Sequence, residues 1–250
     1  METMIKLEGL KKNYGAKEAV KDLNLEIVKG ELFVLVGANG AGKTTTLKML
    51  VGLLKPTAGE IWIGGRDMVR EAMKAKALVS FVPDISYVYE KLTPRELLRF
   101  IGKLYELDPA TIEKNGRELL RFFSLSHVEN VLIEEFSHGM RQKTILAAAL
   151  LHGPQVFILD EPMVGLDPIS IKSFKDFLKK KSREGMTILF STHTLSLAEE
   201  LGDRIAIIDR GRFVALGSMA ELQRKYQSKE NLEQMFMKLV EQEEPGRGEP

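Results

Sequence analysis

The chain has 250 residues, 44% of them hydrophobic, enough for the buried core of one large domain or two small ones. Its 36 Lys and Arg stand against 35 Asp and Glu, so the overall charge gives no pull toward nucleic acid or an anionic membrane surface. With no cysteine, disulfides and thiolate metal sites are excluded, which suits a reducing cytosol, and four scattered histidines do not form a zinc pattern.

The N-terminal METMIKLEGLKK has no apolar stretch of secretory length, and its alternation at Ile5 and Leu7 predicts a strand in a chain that is not exported. Leu23, Leu25 and Ile27 alternate as a half-buried strand, and the continuous run ELFVLVG from Glu31 suits a central parallel strand. A glycine loop follows, then a helix from about Gly42 to Leu53. The Pro and Gly of LLKPTAG mark a turn before two short strands, EIWIGG from Glu60 and ALVSFVP from Ala77. From Thr93 to about Gly153 the spacing becomes helical: Leu97, Leu98, Ile101 and Leu104 share one face, and Ile112, Leu119, Leu120 and Phe123 another. The densest apolar segment, ILAAALL from Ile145, stops at His152, Gly153 and Pro154, far short of the roughly 20 residues that span a bilayer.

Strand patterns resume at VFILD from Val156, TILFST from Thr187 and RIAIID from Arg204, separated by helical stretches. This predicts an α/β core with a mostly parallel sheet, interrupted by a helical insert. Beyond Gly217, helical segments carry Leu222, Tyr226, Leu232, Met235, Phe236 and Leu239, and the polar tail EEPGRGEP is expected to be disordered.

Chemistry concentrates at strand ends. GANGAGKT, Gly37 to Thr44, stands between an apolar strand and a helix, as a phosphate-binding loop requires. Gly37, Gly40 and Gly42 let backbone N–H groups curl round phosphates, Lys43 reaches the terminal phosphates, and the Thr44 hydroxyl is placed for Mg²⁺. VFILDEP ends a strand in Asp160 and Glu161; ligands gather at such carboxyl ends, which puts Asp160 beside the metal and Glu161 in position to deprotonate a water. His193, in TILFSTH, ends a third strand within reach of a γ-phosphate. FSHGMRQK, Phe136 to Lys143, is a second anion grip. Ser137 suits a helix N-cap, and amides near Gly139 point outward with the dipole of a helix, Gly139 to about His152, behind them. That helix is about 21 Å long. Spacing alone leaves open whether this grip serves the chain's own phosphate or another's.

Five motifs, over nearly the whole chain and in order, resemble the nucleotide-binding subunits of ATP-binding cassette (ABC) transporters. The resemblance implies a P-loop NTPase core with an antiparallel β part near the N-terminus and a helical signature subdomain inserted at about 84–153. It implies an ATP-binding domain over 1–217 and a short C-terminal extension over 218–250. Gly37 to Thr45, with Asn39 and Ala41, then corresponds to the Walker A loop binding ATP and Mg²⁺. Asp160 and Glu161 end the Walker B strand, Val164 to Asp167 form the D-loop, and His193 is the switch histidine. Tyr14, 23 residues before Gly37, is expected to stack on adenine through its aromatic face. Ser137 and Gly139 occupy the place of the LSGGQ signature, which closes over ATP held by the opposing subunit.

Two positions depart from the family pattern. His138 and Met140 alter the signature, and SHGMRQK is similar to a variant among ATPases paired with separately encoded export permeases. Asp84 stands where a Q-loop glutamine is usual; its carboxylate is also an oxygen ligand suited to Mg²⁺. Tyr87, Tyr89 and Leu92 are candidates for contact with membrane-spanning permease subunits, whereas the basic run 179–183 reads as a solvated helix end. The resemblance thus implies an ATPase working as a homodimer or paired cassette, with ATP at the interface. It implies no nucleic acid, a place at the inner face of the cell membrane, and export. A soluble non-transport ABC ATPase and an ATP-sensing module without turnover are the rival expectations.

Overall fold

The computed structural model describes residues 2–84, 87–226 and 231–242, with side chains described as far as Leu239; the polar tail 243–250 lies outside them. Two long strands, β1 (Thr3–Tyr14) and β2 (Lys17–Val28), form a hairpin, followed by β3 (Leu32–Val36) and α1 (Lys43–Leu50). Next come β4 (Ala58–Ile63), β5 (Arg66–Asp67), α2 (Ala72–Ala77) and β6 (Val79–Val82). The helical stretch comprises α3 (Pro94–Leu104), α4 (Pro109–Phe122) and α5 (His138–Leu150). The remainder alternates as β7 (Val156–Asp160), α6 (Pro168–Arg183), β8 (Thr187–Thr192), α7 (Leu195–Leu201), β9 (Arg204–Asp209) and β10 (Arg212–Gly217). The described chain closes with α8 (Met219–Lys225) and α9 (Leu232–Gln242).

The strands form two sheets. One is antiparallel, in the order β2-β1-β4-β5; the other runs β10-β9-β3-β8-β7-β6, parallel except for β10. Strand β3 shows why its sequence is apolar throughout. Phe33 and Leu35 pack toward the antiparallel sheet and α1, and Val34 and Val36 pack toward the helices on the opposite face. Burial on both faces removes the polar alternation of a half-exposed strand. Leu222, Leu232, Met235 and Leu239 join the helical-side core, so α8 and α9 pack on it too.

The structure differs from the sequence expectations in several places, among them Leu104, which is 64% exposed rather than packed with Leu97 and Leu98, and the unexpected short strand β5. Residues 72–77 are helical and the strand expected from Ala77 begins at Val79, because AMKAKA is a run of strong helix formers. The first helix starts at Lys43, since Gly42 holds a left-handed φ of 113° as its N-cap, and ends at Leu50 rather than Leu53. The sequence RFVALG adds an unanticipated antiparallel strand, β10, at the sheet edge. Among the described residues no helix is long and apolar enough to cross a membrane.

Within the helical stretch, the residues just past α3 and α5 meet in a stacked pair, Tyr105 on His152, with ring centroids 3.8 Å apart and planes 8° from parallel. Burial pushes the His152 imidazole down to about 4. The unfolded imidazole titrates near 6.5, so stability present above that pH is lost as the pH falls from about 6.5 to about 4. The urea midpoint should therefore fall over this window more in the natural chain than in His152→Phe. Equal declines would show that the imidazole is not kept neutral by folding.

Candidate active site

The glycine loop lies between the carboxyl end of β3 and α1, held by its neighbours. A Cβ on Gly37 would collide with the Ile208 carbonyl, and one on Gly42 would come within 2.8 Å of the Ala19 carbonyl oxygen. Only glycine lets the chain pass this close to β9 and β2. Ala38, Asn39 and Gly40 form an exposed crest, and Ala41 is buried beneath it. α1 begins without a side-chain cap, which leaves first-turn N–H groups for a ligand. Thr45 is half-buried in the same turn.

Lys43 bends back under the crest. Its Nζ donates to the carbonyls of Gly37 at 2.7 Å and Ala38 at 3.2 Å, and lies 3.9 Å from Glu161 Oε1. Burial lowers its pKa from the ordinary lysine value, against the opposing pull of Glu161, Asp160 and Asp84.

Strands β7 and β8 deliver the acidic part. Their parallel register sets Asp160 opposite Ser191. Asp160, 1% exposed, accepts from Thr44 Oγ1 at 2.7 Å through Oδ2 and from the Ser191 hydroxyl through Oδ1. Both oxygens of this buried carboxylate are thus fixed, as burial of a charge requires. Glu161 has a positive φ of 49°, uncommon for a non-glycine residue, and its N–H donates to the Ser191 carbonyl at 3.2 Å. Its Oε1 lies 2.9 Å from His193 Nδ1.

The structure therefore brings Lys43, Thr44, Asp160, Glu161 and His193 into one connected network. Ser191 belongs to it, although the sequence reading passed over it; a serine two residues before a strand-end histidine was the signal, meaningful only once β8 lies beside β7. The Thr44 hydroxyl and Asp160 carboxylate are hard oxygen donors. No group of three or more His, Cys, Asp or Glu able to hold a metal occurs among the described residues. This pair fits an ion that keeps water and phosphate oxygens as its other ligands, as Mg²⁺ does.

Other predicted residues sit apart. Tyr14 is 49% exposed at the β1–β2 turn, with Lys12 Nζ 5.3 Å from its ring centroid. Asp84 is exposed two residues beyond β6; its charge acts on Lys43, but no hydrogen bond joins it to Thr44 or Asp160. Ser137 caps α5, accepting from the Met140 N–H at 3.3 Å, and Gly139 lies in the first turn. Asp167 caps α6, accepting from the Ser170 N–H at 2.9 Å, and Lys143 Nζ lies 3.2 Å from its Oδ2. The Ser170 hydrogen bonds and Lys143 hold the Asp167 carboxyl well below the usual range. Asp84, Tyr87, Tyr89, Phe100, Arg141 and Ile145 line a groove of about 1000 Å³, whose Tyr89 and Phe100 rings meet edge to face.

A parallel sheet carrying a glycine loop after one strand and an acidic pair after another is a P-loop NTPase core, here with an added antiparallel sheet. The family model described as "ABC transporter" matches residues 20–164. The linearmycin resistance ATP-binding protein LnrL of Bacillus subtilis is 39% identical over 88% of this chain and 70% of its own length. A solved structure described as the ATP-binding subunit of an ABC transporter superposes with a TM-score of 0.90 at 32% identity, covering 95% of this chain and 99% of that one. The dimeric post-hydrolysis state of the ATP-binding cassette MJ0796, bound to ADP and Pi, superposes with a TM-score of 0.79 at 26% identity over 86% and 99%. The chain belongs to the ABC transporter family, whose cassettes bind and hydrolyse ATP.

Proposed function

We propose that this chain pairs with a second cassette, binds ATP and Mg²⁺ between the two, and uses hydrolysis to drive outward transport through a separate membrane-spanning permease. The observation that carries this reading is the placement of Glu161 beside the glycine loop, 2.9 Å from His193 and 3.9 Å from Lys43. Gly37 to Thr45 would cradle the phosphates, with Tyr14 against the base. Thr44 and Asp160 would hold Mg²⁺, which shields phosphate charge when bound, and Asp84 stands toward the same region.

Glu161 takes a proton from water as the water oxygen attacks the γ-phosphorus; the bond to the bridging oxygen breaks, leaving ADP and phosphate. General-base help of this kind contributes about 10²- to 10⁴-fold. His193, 2.9 Å from Glu161, orients that carboxylate and would contact the γ-phosphate. Removing Mg²⁺ with a chelator should abolish phosphate release, and turnover that persists without divalent cation would contradict the Thr44–Asp160 assignment.

Ser137 and Gly139 serve the partner's ATP, and Asp167 lies on the same facing surface. The capped, outward-facing start of α5 supports this, as does pairing in a cassette 26% identical to this chain. Ser137→Ala should lower turnover about 10- to 100-fold while leaving ATP affinity of the isolated subunit unchanged, since a lost hydrogen bond to a charged group is worth about 1.5–3 kcal/mol. Equal loss in both assays would place Ser137 at its own subunit's nucleotide.

Outward transport is supported by the SHGMRQK form of the signature and by a relative named for linearmycin resistance. We assign residues 1–217 to the ATP-binding domain and 218–250 to a C-terminal extension. The insert at about 84–153, with Tyr87, Tyr89 and Leu92, would face the permease, placing the chain at the inner face of the cell membrane.

A further inference from the structure

His138 follows Ser137 at the start of α5, in a signature stretch whose usual form carries glycine there. Its imidazole occupies the space in which a side chain on Gly165 would begin; a Cβ on Gly165 would collide with Cδ2 and Nε2 of the ring. Gly139 makes a second close approach, for a Cβ there would stand 2.9 Å from the Gly165 carbonyl oxygen. A turn further along, Lys143 Nζ pairs with Asp167 Oδ2 at 3.2 Å. Three contacts thus fasten the start of α5 to residues 165–167.

That segment is joined closely to the chemistry. Gly165 follows Glu161 by four residues, and the chain between them is tightly wound: the Val164 N–H donates to the Glu161 carbonyl and the Leu166 N–H to the Met163 carbonyl, each at 3.3 Å. Both ends hold left-handed backbone, Glu161 at φ 49° and Gly165 at φ 82°. The left-handed backbone is uncommon at Glu161, which carries a side chain, and is freely open to Gly165, which has none. The His138 ring edge lies against the bare α-carbon at one end of this turn.

We propose that His138 is a positioning residue: it ties the stretch each subunit presents to its partner's ATP to the turn that holds its own Glu161. This rests on the paired reading of the site. The role asked of the imidazole is its shape, a planar ring against a residue with no side chain, rather than proton transfer. Closing of a partner over α5 would then bear on Glu161 through two residues, His138 and Gly165.

The test begins with ATP-dependent pairing of the Glu161→Gln protein; absence of pairing would remove the paired reading and this proposal together. With pairing established, His138→Ala is expected to lower kcat about 3- to 30-fold, the range of coupling effects transmitted through one packed contact. KM for ATP, ATP affinity of the isolated subunit and the melting temperature should stay near their natural values, which a merely structural role would shift. Gly165→Ala provides the second variant. Its added methyl meets the His138 ring, so it should slow turnover more in the natural background than in His138→Ala. Strictly additive effects, or a natural kcat in His138→Ala, would overturn the proposal.

Discussion

Glu161→Gln should retain ATP binding, lose turnover by at least about 10²-fold, and accumulate as an ATP-bound pair. The substitution preserves volume and leaves an amide able to hydrogen-bond His193 Nδ1, which lies 2.9 Å from the natural carboxylate. What it removes is the site where the attacking water's proton goes. The substitution also leaves the Glu161 N–H bond to the Ser191 carbonyl in place, since that bond uses no side-chain atom. Phosphate release measured beside size-exclusion chromatography in ATP reads both consequences. A fully active variant would contradict Glu161 as the base.

Lys43→Ala should weaken ATP binding itself, by about 10- to 100-fold, because a hydrogen bond to a charged group is worth about 1.5–3 kcal/mol. Lys43 is buried, with two loop carbonyls, Gly37 and Ala38, as its acceptors. Its loss leaves those carbonyls without their donor and takes away the cation 3.9 Å from Glu161. Lys43→Arg should not restore binding, since a planar fork does not fit a space built for a single ammonium. Equilibrium titration with a fluorescent ATP analogue gives the affinity directly, and an unchanged Kd would place the phosphates elsewhere. The two substitutions separate the stages of the cycle: one stops chemistry after binding, the other stops binding.

Much of this arrangement is legible in the residues, for identifiable reasons. The run from Leu32 to Val36 announces a strand buried on both faces, and the glycines after it announce a loop because no other residue passes so close to Ile208 and Ala19. Asp160, Glu161 and His193 are found by standing at strand ends. Ser191 escaped because its partner, Asp160, is 31 residues away and is reached only through the pairing of β7 with β8. The packing of His138 on Gly165 was hidden for the same reason: a local pattern reports periodicity along one element, not which turn it meets. Strand β10 went unnoticed because Arg212, Phe213 and Val214 alternate poorly, with only Ala215 and Gly217 of its six residues buried. Helix α2 is short, six residues with only Ala75 buried, so it shows no helical apolar periodicity although its residues favour a helix.

The most direct measurement is recovery of the Glu161→Gln protein from its native membranes in the presence of ATP, with its companions identified by mass spectrometry. The account predicts a paired cassette bound to a protein with several membrane-spanning segments. Recovery of soluble companions alone, with the ATP-bound pair intact, would contradict it.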